Sequence, residues 1–229
     1  MTDAAPEAVD RQPRGRLVAA SVIGGVLLLA AGLLVGILAT PSPTIPSTTS
    51  AEAGFARDMQ VHHGQAVEMS RIVYDETDDP EVRLLAQDIM LTQQSEAGRM
   101  YGWLESWNLP QASPEPAMTW MTRPTLSGGS HQDMDSDEPM HTPGDPMPGY
   151  ASAEDMATLA TLSGVDAEIF YLQLMIEHHQ GGVEMAEALL ARSENPVVTP
   201  LAQSIVTFQS AGIVDMTAML EARGAEPLP

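Results

Sequence analysis

Met59-Gln60-Val61-His62-His63-Gly64-Gln65-Ala66-Val67-Glu68-Met69 recurs further along the chain as Met175-Ile176-Glu177-His178-His179-Gln180-Gly181-Gly182-Val183-Glu184-Met185. His178 follows His62 by 178 − 62 = 116 positions, and the same ungapped offset relates Met59 to Met175 and Met69 to Met185. It also relates Glu68 to Glu184, Pro80 to Pro196, Gln93 to Gln209, Met100 to Met216 and Leu104 to Leu220. A register that persists so far beyond the histidines marks a duplicated unit. Four of the six histidines lie in the two pairs, so any function must account for them.

Around the first pair, Phe55, Met59, His62, Ala66, Met69 and Val73 recur at three- and four-residue steps, which predicts a helix from about Ala51 to Asp75. Thr49 with Glu52 reads as its capping box. Asp79-Pro80 reads as N-cap and first position of a second helix. Its face runs Val82, Leu85, Ala86, Ile89, Gln93, Met100, Trp103, Leu104 and Trp107, and it stops near Asn108-Leu109-Pro110. Two antiparallel helices joined by a short turn form an αα-hairpin.

The second copy opens with two capping signals, Ser152 with Asp155 and Ser163 with Asp166. Its histidine helix turns Ile169, Leu172, Met175, Ile176, His179, Val183, Met185 and Ala186 inward. The last helix carries Leu201, Ile205, Gln209, Met216, Met219 and Leu220, and Thr199-Pro200 delays its start relative to the first copy. Two such hairpins bury their stripes on each other most simply as a four-helix bundle, so the fold class is all-α.

Outside the repeats, Leu17–Leu38 is an uncharged apolar run preceded by Arg11, Arg14 and Arg16. At ~1.5 Å rise per residue it spans the ~30 Å hydrocarbon core. The arginines place the N-terminus in the cytoplasm and the main domain outside. A cleaved signal peptide is the competing reading. The length of the run, and the lack of a small-x-small site before Pro41, favour an uncleaved transmembrane anchor. The chain thus divides into a cytoplasmic N-terminus (1–16), a span (17–38), a Pro/Ser/Thr linker (39–50), a first hairpin (51–110), a second linker (111–150) and a second hairpin (151–229). Residues 51–229 form one domain. The second linker has no period and reads as mobile; it carries Met118, Met121, His131, Met134, Met140, His141 and Met147.

Composition narrows the chemistry. With ten Arg, no Lys and 31 acidic residues, the formal charge is −21. That balance excludes nucleic acid and anionic lipid surfaces as partners of the main domain and favours cations. Cysteine is absent, which removes disulfides, thiolate sites and iron–sulfur clusters.

On a helix, Met59 and His63 lie one turn apart and Met69 falls two turns beyond His62 on the same side. Each copy therefore offers two imidazoles and two thioethers to the interior. Imidazole takes Cu, Zn, Ni or Fe, and thioether sulfur favours Cu(I). A Met/His set without Cys points to copper more than to zinc. The candidate ligands are Met59, His62, His63, Met69, Met175, His178, His179 and Met185. Methionine at helical spacing is also ordinary core filler, the plainer reading for Met100, Met216 and Met219. Paired buried histidines are costly unless something satisfies them. Gln93, Glu96 and Gln209 are polar residues on apolar faces and read as groups that orient ligating imidazoles, or as amides and a carboxylate bonded to neighbouring helices. Met140, His141 and Met147 are weaker candidates for recruiting copper. A di-iron carboxylate site is excluded in its usual form, because Met59, Gln60, Met175 and Ile176 stand where Glu-x-x-His would need Glu.

The order Phe, Met, His-His, Met, then Leu-Ala-Gln-x-Ile, Gln, Met, in two copies from Phe55 to Leu220, resembles the bacterial family named for domain of unknown function 305 (DUF305). Pro148-Gly149-Tyr150 and Ser163-Gly164-Val165-Asp166 resemble the lead-in to its second helix pair. The resemblance implies a ferritin-like four-helix bundle, usually exported, with copper binding through Met and His in some members. The chain departs from the family pattern at Tyr150, where Met is common, and at Gly212, where Glu is expected in the last helix.

These readings predict a membrane-anchored extracytoplasmic protein that binds copper, chiefly Cu(I), for sequestration, resistance or delivery to a copper-accepting or respiratory membrane protein. Protonation of ligand histidines should weaken binding below about pH 6. The alternative is an accessory or structural subunit of a membrane complex, with the histidines as internal packing. No substrate pocket or second redox group is legible, so an enzyme is not expected.

Overall fold

The computed structural model describes residues 14–39, 45–128 and 142–228. All regular structure among them is helical: α1 Arg14–Ala39, α2 Ala51–Glu76, α3 Pro80–Ser106, α4 Ala153–Leu159, α5 Gly164–Leu190 and α6 Thr199–Ala222, with a 3-10 turn at Thr119–Thr122. The chain divides into two compact units, Met1–Thr44 and Ile45–Pro229. In the first, Val18–Gly36 is long and apolar enough to cross a membrane, and such a helix serves as an anchor or as a signal.

In the second unit α2 packs on α3, α5 on α6, and α2 on α5, so two helical hairpins meet through their histidine helices. The stripe on α2 is buried at every expected position, Phe55, Met59, His62, Ala66, Met69 and Val73. Its N-cap is Ser50, whose hydroxyl accepts from Ala53 N, and not the expected Thr49. Glu52 is consequently free to reach another element, and accepts from the Ser193 hydroxyl at 2.6 Å. Asp79 caps α3 through Glu81 N and Val82 N, with Pro80 at the first turn as expected. Ser152 and Asp155 form the reciprocal capping box of α4. Ser163 stands at the N-cap of α5 but makes no side-chain capping bond, so that expected box is absent. Gly164, at φ +56°, supplies the left-handed conformation that starts the helix instead.

Within residues 111–150, the stretch around residues 118–121 packs on α2, where a linker was expected. Asp58 on α2 accepts from Met118 N at 2.7 Å and Trp120 Nε1 at 2.9 Å, and Phe55 meets Trp120 edge-on. Gly54 makes this possible, because a Cβ there would lie 2.5 Å from Trp120 side-chain atoms. Met118 and Trp120 are buried. A segment that buries single residues through irregular backbone leaves no period to read.

Candidate metal centre

The apolar core is split in two. Met59 and Met185 lie with Met100 in one buried cluster, and Met69 and Met175 lie with Met216 in the other. Met59 precedes His62 whereas Met185 follows His179, so α2 and α5 run antiparallel past one another. Between the clusters stand His62, His63, His178 and His179 with Gln65, Gln93 and Gln209, all buried. The eight expected ligands are therefore arranged as four imidazoles with two thioethers above and two below.

His62 and His178, which match in the repeat, stack with ring centroids 3.7 Å apart. His62 Nε2 lies 3.1 Å from the Pro148 carbonyl, and His178 Nε2 lies 3.0 Å from the backbone carbonyl of His62. His63 Nε2 lies 2.9 Å from the Glu96 carboxylate. Each of these partners only accepts, so in all three residues Nε2 carries the hydrogen and donates it. In the neutral form of such an imidazole the lone pair then falls on Nδ1. Nδ1 of His62, His63 and His178 is buried and has no hydrogen-bond partner among the described residues. Metal-ligating histidines in general share this pattern of one nitrogen fixed by an oxygen acceptor and the other open.

His179 differs. Its Nδ1 makes no hydrogen bond of acceptable geometry, though the Met175 carbonyl one turn earlier offsets a little of the burial. Its ring lines a cleft of ≈ 150 Å³ between α3 and α6. Glu96 bonds the His63 ring on the neighbouring helix, which fits both readings of it, whereas Gln93 Oε1 and both amide atoms of Gln209 are buried without partners.

Burial, with lesser contributions from His63 and His179, pushes His62 down to about 3 despite its bond to Pro148. Burial and the proximity of His63 push His179 to about 4, and burial with the other three imidazoles holds His178 well below its ordinary value. Burial keeps these three imidazoles neutral below the pH at which an exposed histidine takes up its proton. Among the described residues, no three His, Asp or Glu side chains converge so as to hold a metal ion by themselves. Methionine sulfur on either side of the layer is the further donor type within it, one that favours soft ions.

The sequence reading missed what closes the layer on its other side. Gln65 brackets Ala151, donating to its carbonyl and accepting from its N–H, both at 2.8 Å. A Cβ at Gly181 would lie 1.9 Å from the Pro148 carbonyl oxygen, and one at Gly149 would lie 2.0 Å from that of Glu177. Residues 148–151 are thus strapped directly against α5. The signal was the Gly181-Gly182 pair inside a helical pattern, which marks close approach of another backbone. Met147 is half-buried against the first core cluster instead of lying free in a linker, and Met140 and His141 fall outside the described residues.

A model of the DUF305 family, described as a domain of unknown function, matches residues 52–220. Among solved structures, "putative secreted protein DUF305" from Streptomyces coelicolor is 46% identical, covers 80% of this chain and 99% of its own, and superposes with a TM-score of 0.68. A DUF305 fragment from Deinococcus radiodurans is 30% identical, with coverage of 80% and 99% and a TM-score of 0.59. CopM in its Cu(I)-bound form is 25% identical, with coverage of 76% and 96% and a TM-score of 0.54. No curated protein matches the chain.

Proposed function

The chain belongs to the DUF305 family, and on that premise we propose that it binds copper, chiefly as Cu(I), outside the cytoplasm. Copper is held in the histidine layer by small sets of two to four donors drawn from Nδ1 of His62, His63 and His178, the imidazole of His179, and sulfur from Met59 and Met185 on one side or Met69 and Met175 on the other. The observation that carries this reading is the set of buried, unpartnered Nδ1 atoms on imidazoles whose Nε2 atoms are tied to oxygen. Leaving such atoms without a partner costs about 1–3 kcal/mol each, a cost that coordination removes. Binding of Cu(I) by CopM, a distant relative, supports the same chemistry. We read α2, α3, α5 and α6 as a ferritin-like four-helix bundle held at the membrane by α1 as an uncleaved anchor. The protein acts as a carrier or store, not an enzyme, and hands copper to a membrane protein.

A second reading has its own observation. Three of the four imidazoles use Nε2 to pin backbone or Glu96, which is also what a purely structural accessory subunit would need. An anaerobic Cu(I) competition titration on the full chain in detergent separates the two, run beside a variant with all four histidines changed to Ala. Tight stoichiometric binding that the variant loses supports copper; equal, weak competition by both leaves the histidines as packing.

A further inference from the structure

The two hairpins are not equivalent, and the difference lies at one residue. The 116-residue offset that superposes His63 on His179 and Gln93 on Gln209 places Glu96 on Gly212, 212 − 96 = 116. In the first hairpin the Glu96 carboxylate covers His63, bonding its Nε2 at 2.9 Å, and His63 is fully buried. In the second, a Cβ at Gly212 would lie 3.4 Å from His179 Cδ2 and 3.6 Å from Nε2, with no side chain there to cover the ring. The ring edge that faces Gly212 instead lines the cleft, and His179 is the one paired histidine with measurable exposure, 5%.

The cleft walls are mostly apolar, with Leu85, Ile89, Ile205, Phe208 and Met216 among them, and carry a few polar groups able to meet a cation. Gln93 and Gln209, 3% and 5% exposed, present amide groups with no internal partner, Glu96 adds a carboxylate, and Asp88 stands among the outer lining residues. Oxygen atoms of this kind replace the water of an incoming ion stepwise, and the surrounding negative charge draws cations to the mouth. On the other side the layer is shut, with Pro148 pressed on Gly181 and Gly149 on Glu177.

We infer that the cleft between α3 and α6, opened by the absence of a side chain at Gly212, is the port through which a copper ion enters and leaves the histidine layer, with His179 as the first imidazole it meets. The inference rests on the copper reading above and adds the route and the asymmetry: the second hairpin loads, and the first, sealed by Glu96, retains.

The test compares Cu(I) uptake by the full chain in detergent with that of two variants, following transfer from a chromophoric Cu(I) chelate by stopped flow. Gly212→Glu restores the carboxylate of the first hairpin and fills the cleft from within. Thr92→Trp covers its mouth from an exposed position on α3. Both are expected to bind the same amount of copper at equilibrium but to load roughly tenfold more slowly or worse. Loading of both at the original rate overturns the port while leaving the copper reading intact. A slow Gly212→Glu beside an unaffected Thr92→Trp also overturns it, because the added carboxylate would then act on His179 itself. If Gly212→Glu does not fold by circular dichroism, Thr92→Trp alone decides. No uptake by the unsubstituted chain removes the copper reading and the port together.

Discussion

His62 and His178 lie face to face, 3.7 Å between ring centroids and 29° between planes, at matching positions of the two repeats. The backbone carbonyl of His62 also accepts from His178 Nε2, so the two residues are joined by stacking and by a hydrogen bond at once. Residues joined in this way do not act independently. The stability losses of His62→Ala and His178→Ala should therefore be non-additive in a double-mutant cycle, with a coupling of about 0.5–3 kcal/mol. Urea unfolding of the four proteins measures it, and strict additivity would mean the stack carries no energy of its own.

The metal-free protein should lose stability as the solution is acidified. Unfolded histidine takes up a proton near pH 6.5, whereas His62 and His179 in the folded chain hold out to about 3 and about 4. Between those limits the unfolded state binds more protons, so the stabilisation is complete above about pH 6.5 and falls with pH by up to about 1.4 kcal/mol per unit for each such imidazole. Thermal midpoints recorded from pH 7.5 down to 4.5 should be level first and then descend. Removing one imidazole should make the descent shallower.

Copper affinity should respond to pH differently from that of an exposed histidine site. Depressed imidazoles offer protons little competition with the ion until about pH 4, as His179 does. Competition titrations at pH 7.0 and 5.5 should give nearly equal Cu(I) affinities once the chelator's own protonation is corrected. A steep fall over that interval would mean that His62, His178 and His179 do not carry the affinity.

Glu96 fixes the His63 tautomer and ring. Glu96→Gln keeps an oxygen acceptor but removes its charge, and should weaken copper binding by about 10–100-fold. Competition against the same chelate reads the change, and unaltered affinity would reduce Glu96 to a packing role.

Two helical glycines should behave oppositely. A side chain at Gly181 meets the Pro148 carbonyl at 1.9 Å, backbone that cannot swing aside, so Gly181→Ala should cost about 2 kcal/mol or more and loosen the strap. Gly64 is exposed within α2 with open space around it, and Gly64→Ala should stabilise by about 0.5–1 kcal/mol. Chemical denaturation of both variants checks the signs.

The helices, their inward stripes and the twofold relation of the hairpins were legible in the chain because each is carried by local periodicity and by the repeat register. Asp79, Ser152 and Asp155 announced their helix ends by side-chain chemistry that acts within a few residues. That His62, His63, His178 and His179 lie inside followed from their place on apolar stripes, whereas their meeting in one layer is a result of the tertiary packing. What the sequence could not determine was direction. Which ring nitrogen is tied, that Pro148 and Gln65 close one side of the layer, and that Gly212 leaves the other side open depend on contacts between residues 33 to 116 positions apart. Only the packing of α2 against α5 brings Pro148 onto Gly181 and leaves α3 and α6 apart around His179. The sequence alone determined which side chains are inside; the tertiary structure decided which of their atoms remain free, because hydrogen bonds to a distant backbone choose the tautomer.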